Sequence, residues 1–590
     1  MPEPLTASVL RQRIINALRH EHIVLALLAI VVGVVTGFAI IGLREAIQFV
    51  QQVLYGTNSE RFFYFVRNHT WWLVILTPAA GGLLVGWIVH KTLPEGRPQG
   101  IADVIEAYAR HRGYMSIRTG LWSALCSILS LGAGASVGRE GPAVHLGASL
   151  AGWVTHILHL DRGLARTVLG CGASAAVAAS FNAPIAGALF ASEVIVGHYA
   201  LRSFAPIVIS SVVGTSLARW WFGSFPAFVV SNTIFASFWE FPAFVLLGIV
   251  SAVAALVFMH SISIATRIAN WLPGPRWYRP AVGGAAVGLI ALEFPQVMGV
   301  GYGTTEAALT LQFGFWMLVG IGLAKIAATA ICFGFGFSGG VFSPSLVIGA
   351  MVGTSFGILA TQVFPDLSSG PDAYALVGMG ALAAAVLGAP ISTTLIIFEL
   401  TGDYALTLGV MVAIVVSSEI VHTFYGRSFF HGQLRDRGID LRGAFEAGAK
   451  RSQMVRDLMS QPVGVIYPDM KLNDVRMKLL REPSGILFVS DAEGKLVGTV
   501  TLANLDDKAF DHDYDDTVVA NDVMRTDPPF LTLADDLGTA IEVMDEREED
   551  HVAVVERGRT MKLVGCLHHR DAMHAYNRAL ARLRHAEHDD

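Results

Sequence analysis

From His22 to about Tyr425 the chain keeps returning to apolar runs such as "IVLALLAIVVGVVTGFAIIGL", "WWLVILTPAAGGLLVGWIV" and "LTLGVMVAIVVSSEIV". Several are long enough to span a hydrocarbon core, which takes roughly 20 apolar residues as helix. In lipid the backbone must bond to itself within each run, so such runs are helices. Charge confirms the setting: only 15% of the 590 residues are charged, against about a quarter in a soluble globular chain. From Arg427 onward the chain turns polar and ordinary. The sequence therefore specifies a polytopic α-helical membrane domain followed by a soluble C-terminal region. The net charge of −6 averages two unlike halves and carries no information about partners.

The N-terminal "LRQRIINALRHEH" reads as an amphipathic helix within residues 1–21, and the apolar run after it is too long for a signal peptide. Arg11, Arg13 and Arg19 flank the first span; Arg427, Arg435, Arg437 and Arg442 follow the last. This bias places both termini in the cytosol. Cys126, Cys171, Cys332 and Cys566 stand apart from one another, so neither a zinc site nor a disulfide framework is expected.

Two pairs of segments repeat within the membrane part. "GREGPAVHLGA" (Gly138 to Ala148) and "GVFSPSLVIGA" (Gly340 to Ala350) share Gly-x-x-x-Pro-x-x-x-x-Gly-Ala. "GCGASAAVAASFNAPIAGALFASE" (Gly170 to Glu193) and "GMGALAAAVLGAPISTTLIIFE" (Gly378 to Glu399) share Gly-x-Gly-Ala, Ala-Pro-Ile and a glutamate nine residues after the proline. The offsets, 344 − 142 = 202 and 390 − 184 = 206, are nearly equal. Glycine and alanine enrichment at helix interfaces would produce single matches of this kind. Two matches in one order indicate a duplicated domain, with halves at about 22–222 and 240–430. Transport proteins built from such repeats hold their sites between the halves at mid-membrane.

In both members of the first pair a Gly-rich stretch runs into a proline, which is how a helix begins. Pro142 and Pro344 are expected to open two helices whose N-termini point to one place. Helix N-termini carry unpaired N–H groups and partial positive charge, and converging ones make an anion site. Charged side chains inside a bilayer are costly and functional by default, which singles out Glu140. The bland reading of Glu140 is a carboxylate that caps a helix.

These residues carry a specific resemblance. GREGP (Gly138 to Pro142), GGVFSP (Gly339 to Pro344), "FNAPIAGALFASEV" and "GAPISTTLIIFELTGDY" are similar to the CLC family of chloride channels and chloride/proton antiporters. The likeness runs from about His22 to Gly438. It implies a CLC-like inverted internal repeat and a homodimer with one anion pathway per subunit, chloride being the cargo and no metal being involved. It also implies that Glu140 is the gating glutamate, whose carboxylate occupies an anion position until it swings away or is protonated. Backbone amides of Arg139, Glu140 and Gly141 match the family's outer anion site, and those of Val341 and Phe342 its central one.

Three positions depart from the family pattern. Where the family has GSGIP, "PQGIADVIEA" keeps Gly100 and Ile101 but has Gln99 at the serine position and Ala102 for proline. Either the Gln99 amide or the backbone alone serves the central anion; a surface-loop glutamine is the competing reading. Phe430 stands where the family has a tyrosine at the inner end of the pathway, so that hydroxyl is absent. Val194, directly after Glu193, stands where exchangers often carry a proton-relay glutamate. A side chain that holds no proton cannot relay one, which leans toward passive conduction. Glu193 lies about 100° further round the helix and is expected, with its repeat mate Glu399, to be structural.

Beyond the linker 439–452 comes a second duplication. Asp-x-Met recurs at Asp457 and Asp522, and Lys-Leu-Val-Gly at Lys495 and Lys562, within helix–strand–helix–strand–strand–helix patterns over 453–508 and 517–580. This resembles a small α/β cytosolic CBS pair, which implies an adenine nucleotide between the halves or a purely structural role in dimer contact. Thr501 and Asp571 are the candidate nucleotide contacts; Asn504 replaces aspartate in the first half and His568 the hydroxyl in the second. "DHDYDD" and "EREED" read as solvated acidic surface.

The expectation is a multi-pass protein of a bacterial-type inner membrane, with lipid and a second copy as partners and no nucleic acid. It is not an enzyme: the spans hold no Ser/His, HExxH or paired-Asp constellation. Within anion transport the sequence favours a voltage- or pH-gated channel. A proton-coupled antiporter and a non-transporting anion or nucleotide sensor are the alternatives.

Overall fold

The fold is a computed structural model that describes residues 21–223, 237–439 and 453–588, apart from 60, 112, 161, 198–200, 463, 506–512, 514, 516 and 557–560. The expected amphipathic helix before the first span and the linker lie outside the described residues. The chain divides into two compact units, Met1–Ile439 and Asp440–Asp590.

Among the described residues of the first unit, the one-turn helix Phe62–Val66 and the 3-10 turns aside, eight helices are followed by eight counterparts. The first half comprises α1 (Glu21–Tyr55), α2 (Trp71–Thr92), α3 (Ile101–Arg110), α4 (Ile117–Gly132), α5 (Glu140–Ile157), α6 (Arg162–Phe181), α7 (Pro184–Phe190) and α8 (Leu201–Phe222). The second comprises α9 (Phe241–Trp271), α10 (Arg279–Glu293), α11 (Tyr302–Leu309), α12 (Phe315–Phe335), α13 (Phe342–Val363), α14 (Pro371–Leu387), α15 (Pro390–Thr401) and α16 (Tyr404–Phe424). A last short helix, α17 (Phe429–Asp436), has no counterpart. Seven described helical stretches are long and apolar enough to cross a membrane, whereas α3, α7 and α11 are far too short.

The repeats pack alike because the sequence is alike where backbones touch. Gly147 on α5 faces Gly172 on α6 so closely that an added Cβ would lie 2.4 Å from the Gly172 carbonyl oxygen. Their counterparts Gly349 and Gly378 meet in the same way, at 2.5 Å. With little hydrophobic drive between helices in lipid, this backbone approach supplies the packing. Proline opens α7, α14 and α15, where its missing N–H costs nothing. All four cysteines are buried and free.

The second unit contains two three-stranded sheets of the same construction. β1 (Val465–Ile466) runs parallel to β2 (Ile486–Ser490), which is antiparallel to β3 (Leu496–Thr501). β4 (Phe530–Thr532), β5 (His551–Val555) and β6 (Leu563–His568) repeat that order. The landmarks Lys495 and Lys562 pair with each other in an antiparallel bridge, so the duplicated motif is also the seam between the halves.

Candidate functional site

The two motif loops meet at the start of α5 and α13. Gly138 donates its N–H to the Gly340 carbonyl at 2.6 Å, and Gly340 returns the bond at 2.7 Å. Only glycine permits this approach: a Cβ on Gly340 would lie 2.7 Å from the Gly141 nitrogen, and one on Gly138 2.6 Å from Glu140 Oε2. The bridge brings the first turns of both helices together, with Arg139 and Val341 as their N-cap residues. The N–H groups of a helix's first turn have no intrahelical acceptor, so both turns offer donors to an anion.

Glu140 is 1% exposed and heads α5. Its Oε1 accepts a hydrogen bond from Ser343 Oγ at 2.5 Å and another from the Tyr302 hydroxyl at 3.2 Å. Oε2 is buried without a hydrogen-bond partner. Arg139 Nε lies 4.0 Å from Oε1, and its guanidinium covers the Tyr302 ring at 4.8 Å. The carboxylate of one repeat is thus held by hydroxyls of the other, with half of its acceptor capacity unused. Charge-assisted bonds of this kind are short and strong, yet two donors leave a buried carboxylate under-satisfied. That is the condition of a group that can be displaced. A small cleft of about 40 Å³ lined by Arg44, Gln51, Arg139 and Tyr302 lies beside it.

Ser343 and Tyr302 were not singled out by the sequence. Ser343 lies inside the GGVFSP motif between the named Phe342 and the proline; Tyr302 follows "GVG", and Gly301, at φ 97°, is the N-cap of α11. Hydroxyls beside a helix-opening glycine were the available signal in both.

The other candidates lie as follows. Phe342 is buried, its ring 4.6 Å from Phe181 and 5.9 Å from Phe190. Gln99 Nε2 donates to the Arg97 carbonyl at 3.3 Å, while its own carbonyl accepts from Ser123. Gly100 caps α3 and donates its N–H to Asp103 Oδ2 at 2.7 Å. Asp103 Oδ1 in turn binds Arg97 at 2.8 Å and Arg437, just past α17, at 2.9 Å. Phe430 is buried on α17 against Phe429. Among the described residues no side-chain bond joins Gln99 or Phe430 to Glu140. Val194 is buried in a π-helical stretch, Ala191–Val196, that continues α7.

The neighbouring glutamates cap one another's repeat. Glu193 accepts from the backbone of Ile391 at 3.0 Å and Ser392 at 2.8 Å, and from the Ser392 hydroxyl, at the start of α15. Glu399 accepts from Ile185 at 3.0 Å and Ala186 at 2.8 Å, at the start of α7. Both carboxylates are therefore committed to helix N-termini. In the second unit Thr501 gives its N–H and hydroxyl to Asn504 Oδ1, and Asp571 is half exposed beside Arg570. The Asp571 carboxylate is thus accessible in the second half, whereas the Thr501 hydroxyl of the first is engaged locally.

The family model described as "Voltage gated chloride channel" matches residues 81–422, and that of the CBS domain matches 455–509 and 519–578. A "Putative chloride channel protein ClcB-like" of Ralstonia nicotianae is 33% identical over 417 residues, which cover 70% of this chain and 97% of that one. The "Voltage-gated ClC-type chloride channel ClcB" of Escherichia coli O157:H7 is 32% identical over 413 residues, 68% and 97% of the two chains. Among solved structures, a slow cyanobacterial Cl-/H+ antiporter superposes with TM-score 0.64 at 25% identity, covering 71% of this chain and 98% of its own. A eukaryotic CLC transporter superposes with TM-score 0.61 at 21% identity, covering 93% and 97%.

Proposed function

We propose, from the premise that this chain belongs to the voltage gated chloride channel (CLC) family and carries a CBS pair behind its membrane domain, that it conducts chloride passively along a pathway gated by Glu140. Members of the family are transporters and channels, not enzymes, and chloride transport through the membrane is the activity of this chain. The anion passes the backbone amides of Arg139, Gly141, Val341 and Phe342, between Gln99–Gly100 and Phe430 on one side and the Arg139 cleft on the other. The observation that carries the gate is the buried Glu140 carboxylate, bonded through one oxygen and unpartnered at the other. Protonation or a competing anion releases it from Ser343 and Tyr302.

Passive conduction is supported by Val194, which holds no proton, and by the engagement of Glu193 as a helix cap. The rival, proton-coupled antiport, is favoured by the similarity to the cyanobacterial antiporter at 25% identity. Exposed apolar residues on α7, α8, α15 and α16, namely Ile185, Val212, Ile391 and Val415, support a homodimer. The flanking arginines support cytosolic termini in an inner membrane. The CBS pair is a regulatory module, with Thr501 and Asp571 the positions to test with adenine nucleotide.

Proteoliposomes carrying the purified chain under a chloride gradient test this reading. Chloride efflux without uphill proton movement is expected; a fixed proton stoichiometry would replace the channel by the exchanger. Efflux of no halide or nitrate would leave a sensor. Glu140→Ala should give efflux that no longer depends on pH.

A further inference from the structure

Among the described residues Lys325 is the one basic side chain in the set of largest fully buried ones, at 0% exposure in the middle of α12. Its Nζ donates to the carbonyl oxygens of Val297 at 2.9 Å and Gly299 at 3.0 Å. Among the described residues no carboxylate lies within ion-pair distance of it. Cys332, two turns along α12, is the titratable group nearest in the helix, and its sulfur accepts the Ser136 N–H at 3.2 Å. A lone lysine in an apolar membrane helix is expensive, and packing alone would be served by leucine or methionine.

What the amine holds explains the cost. Val297 and Gly299 belong to the segment before α11, in which Val297 and Met298 are buried in the core. Beyond its own turn, its other long-range hydrogen bonds among the described residues are Gly299 N–H to the Gly134 carbonyl at 3.3 Å and Thr304 Oγ1 to the Gln296 carbonyl at 2.9 Å. Gly301 ends it at φ 97°, so near Lys325 that an added Cβ would lie 3.5 Å from Nζ. The next residue is Tyr302, whose hydroxyl donates to Glu140. An unbroken path of bonds and backbone therefore runs from Lys325 to the gate.

We propose that Lys325 is a positioning residue for the gate. It fixes the segment that aims the Tyr302 hydroxyl at Glu140. The inference rests on reading Glu140 as the gate. Among the described residues the charged and titratable groups in contact with Glu140 are Arg139 at 4.0 Å and Tyr302 at 3.2 Å, so Lys325 acts through Tyr302 rather than by contact.

The test is chloride efflux from proteoliposomes against pH for the full-length chain and its Lys325→Met, Lys325→Arg, Tyr302→Phe and Glu140→Ala variants. A hydrogen bond to a charged acceptor corresponds to about one to two pH units, so Tyr302→Phe moves the pH of half-maximal efflux upward by about that amount. Lys325→Met shifts it in the same direction, Lys325→Arg restores the wild-type midpoint, and the Lys325→Met/Tyr302→Phe pair shifts no further than the larger single change. A Lys325→Met variant with the wild-type midpoint, or a shift additive with that of Tyr302→Phe, overturns the proposal. If Lys325→Met is not recovered folded, Lys325→Leu, which likewise removes the donor, takes its place under the same criteria. Glu140→Ala separates the two readings: a pH response retained there defeats the gate itself, whereas a flat profile there with an unmoved Lys325 midpoint defeats only the inference.

Discussion

Removing the Glu193 carboxylate should destabilise the membrane domain without altering which ions it carries. In the native structure both oxygens are used: Oε1 by the Ile391 amide at 3.0 Å and Oε2 by the Ser392 amide at 2.8 Å and its hydroxyl. Bonds to a charged group contribute about 1.5–3 kcal/mol each, but lost N-caps cost only about 0.5–2 kcal/mol because water or neighbours partly replace them. With three bonds on a half-buried carboxylate, Glu193→Ala should cost about 2–4 kcal/mol. Glu399→Ala breaks two bonds and should cost less. Because membrane proteins of this size unfold irreversibly, the readout is the temperature at which detergent-purified protein loses its monodisperse peak after fixed heating. The expected order is Glu193→Ala lowest, then Glu399→Ala, with Glu193→Gln, which keeps one acceptor oxygen and loses the other, between Glu193→Ala and wild type. The surviving Glu193→Ala protein should move chloride, and move or fail to move protons, as the wild type does. Undiminished thermal tolerance together with altered proton movement would show that Glu193 is a relay and refute the capping argument.

Two further outcomes follow from other parts of the chain. Gly340→Ala places a Cβ 2.7 Å from the Gly141 nitrogen and forces the Gly138–Gly340 bonds apart. Two lost bonds with their orphaned groups amount to about 3–6 kcal/mol, so efflux and folded yield should both collapse; wild-type efflux would contradict it. In the CBS pair, burial and then the adjacent His568, 4.3 Å away ring to ring, hold the His551 imidazole below its ordinary value, against the pull of Asp550, Glu482 and Asp571. The unfolded chain therefore takes up this proton first as pH falls, and stability is lost on acidification below about 6.5. Protection of the β5 and β6 amides of the full chain, expressed relative to the intrinsic exchange rate at each pH, should fall between neutral and mildly acidic pH, and His551→Gln should remove part of that change.

Much of this was legible in the sequence because it is written in backbone-shaping residues. Glycine and proline at matched offsets announced the repeats, the helix starts and the meeting of two N-termini. Lys-Leu-Val-Gly marked the register of the CBS halves, and those lysines proved to be the seam itself. Illegible were the groups whose meaning depends on the other repeat. Tyr302 and Ser343 are unremarkable hydroxyls until the chain brings them from 162 and 203 residues away onto Glu140. Lys325 interrupts an apolar run without a local partner, since its acceptors are main-chain carbonyls that no side-chain pattern reveals. The matched glutamates showed that Glu193 and Glu399 share a role; only the fold shows each capping the other's half.

The Gly138–Gly340 bridge has a consequence for direction. Main-chain bonds returned residue for residue give the two halves equal standing, and a site of that symmetry would treat both faces of a membrane alike. The repeat offset of 202 carries Glu140 to 140 + 202 = 342, a phenylalanine packed among Phe181 and Phe190. One half thus presents a carboxylate and the other only an aromatic ring. A duplicated scaffold acquires an inside and an outside through unlike side chains at matched positions, Arg139, Glu140 and Gly141 facing Val341, Phe342 and Ser343 in the alignment. Exchanging Glu140 and Phe342 asks whether rectification travels with the carboxylate or belongs to the fold.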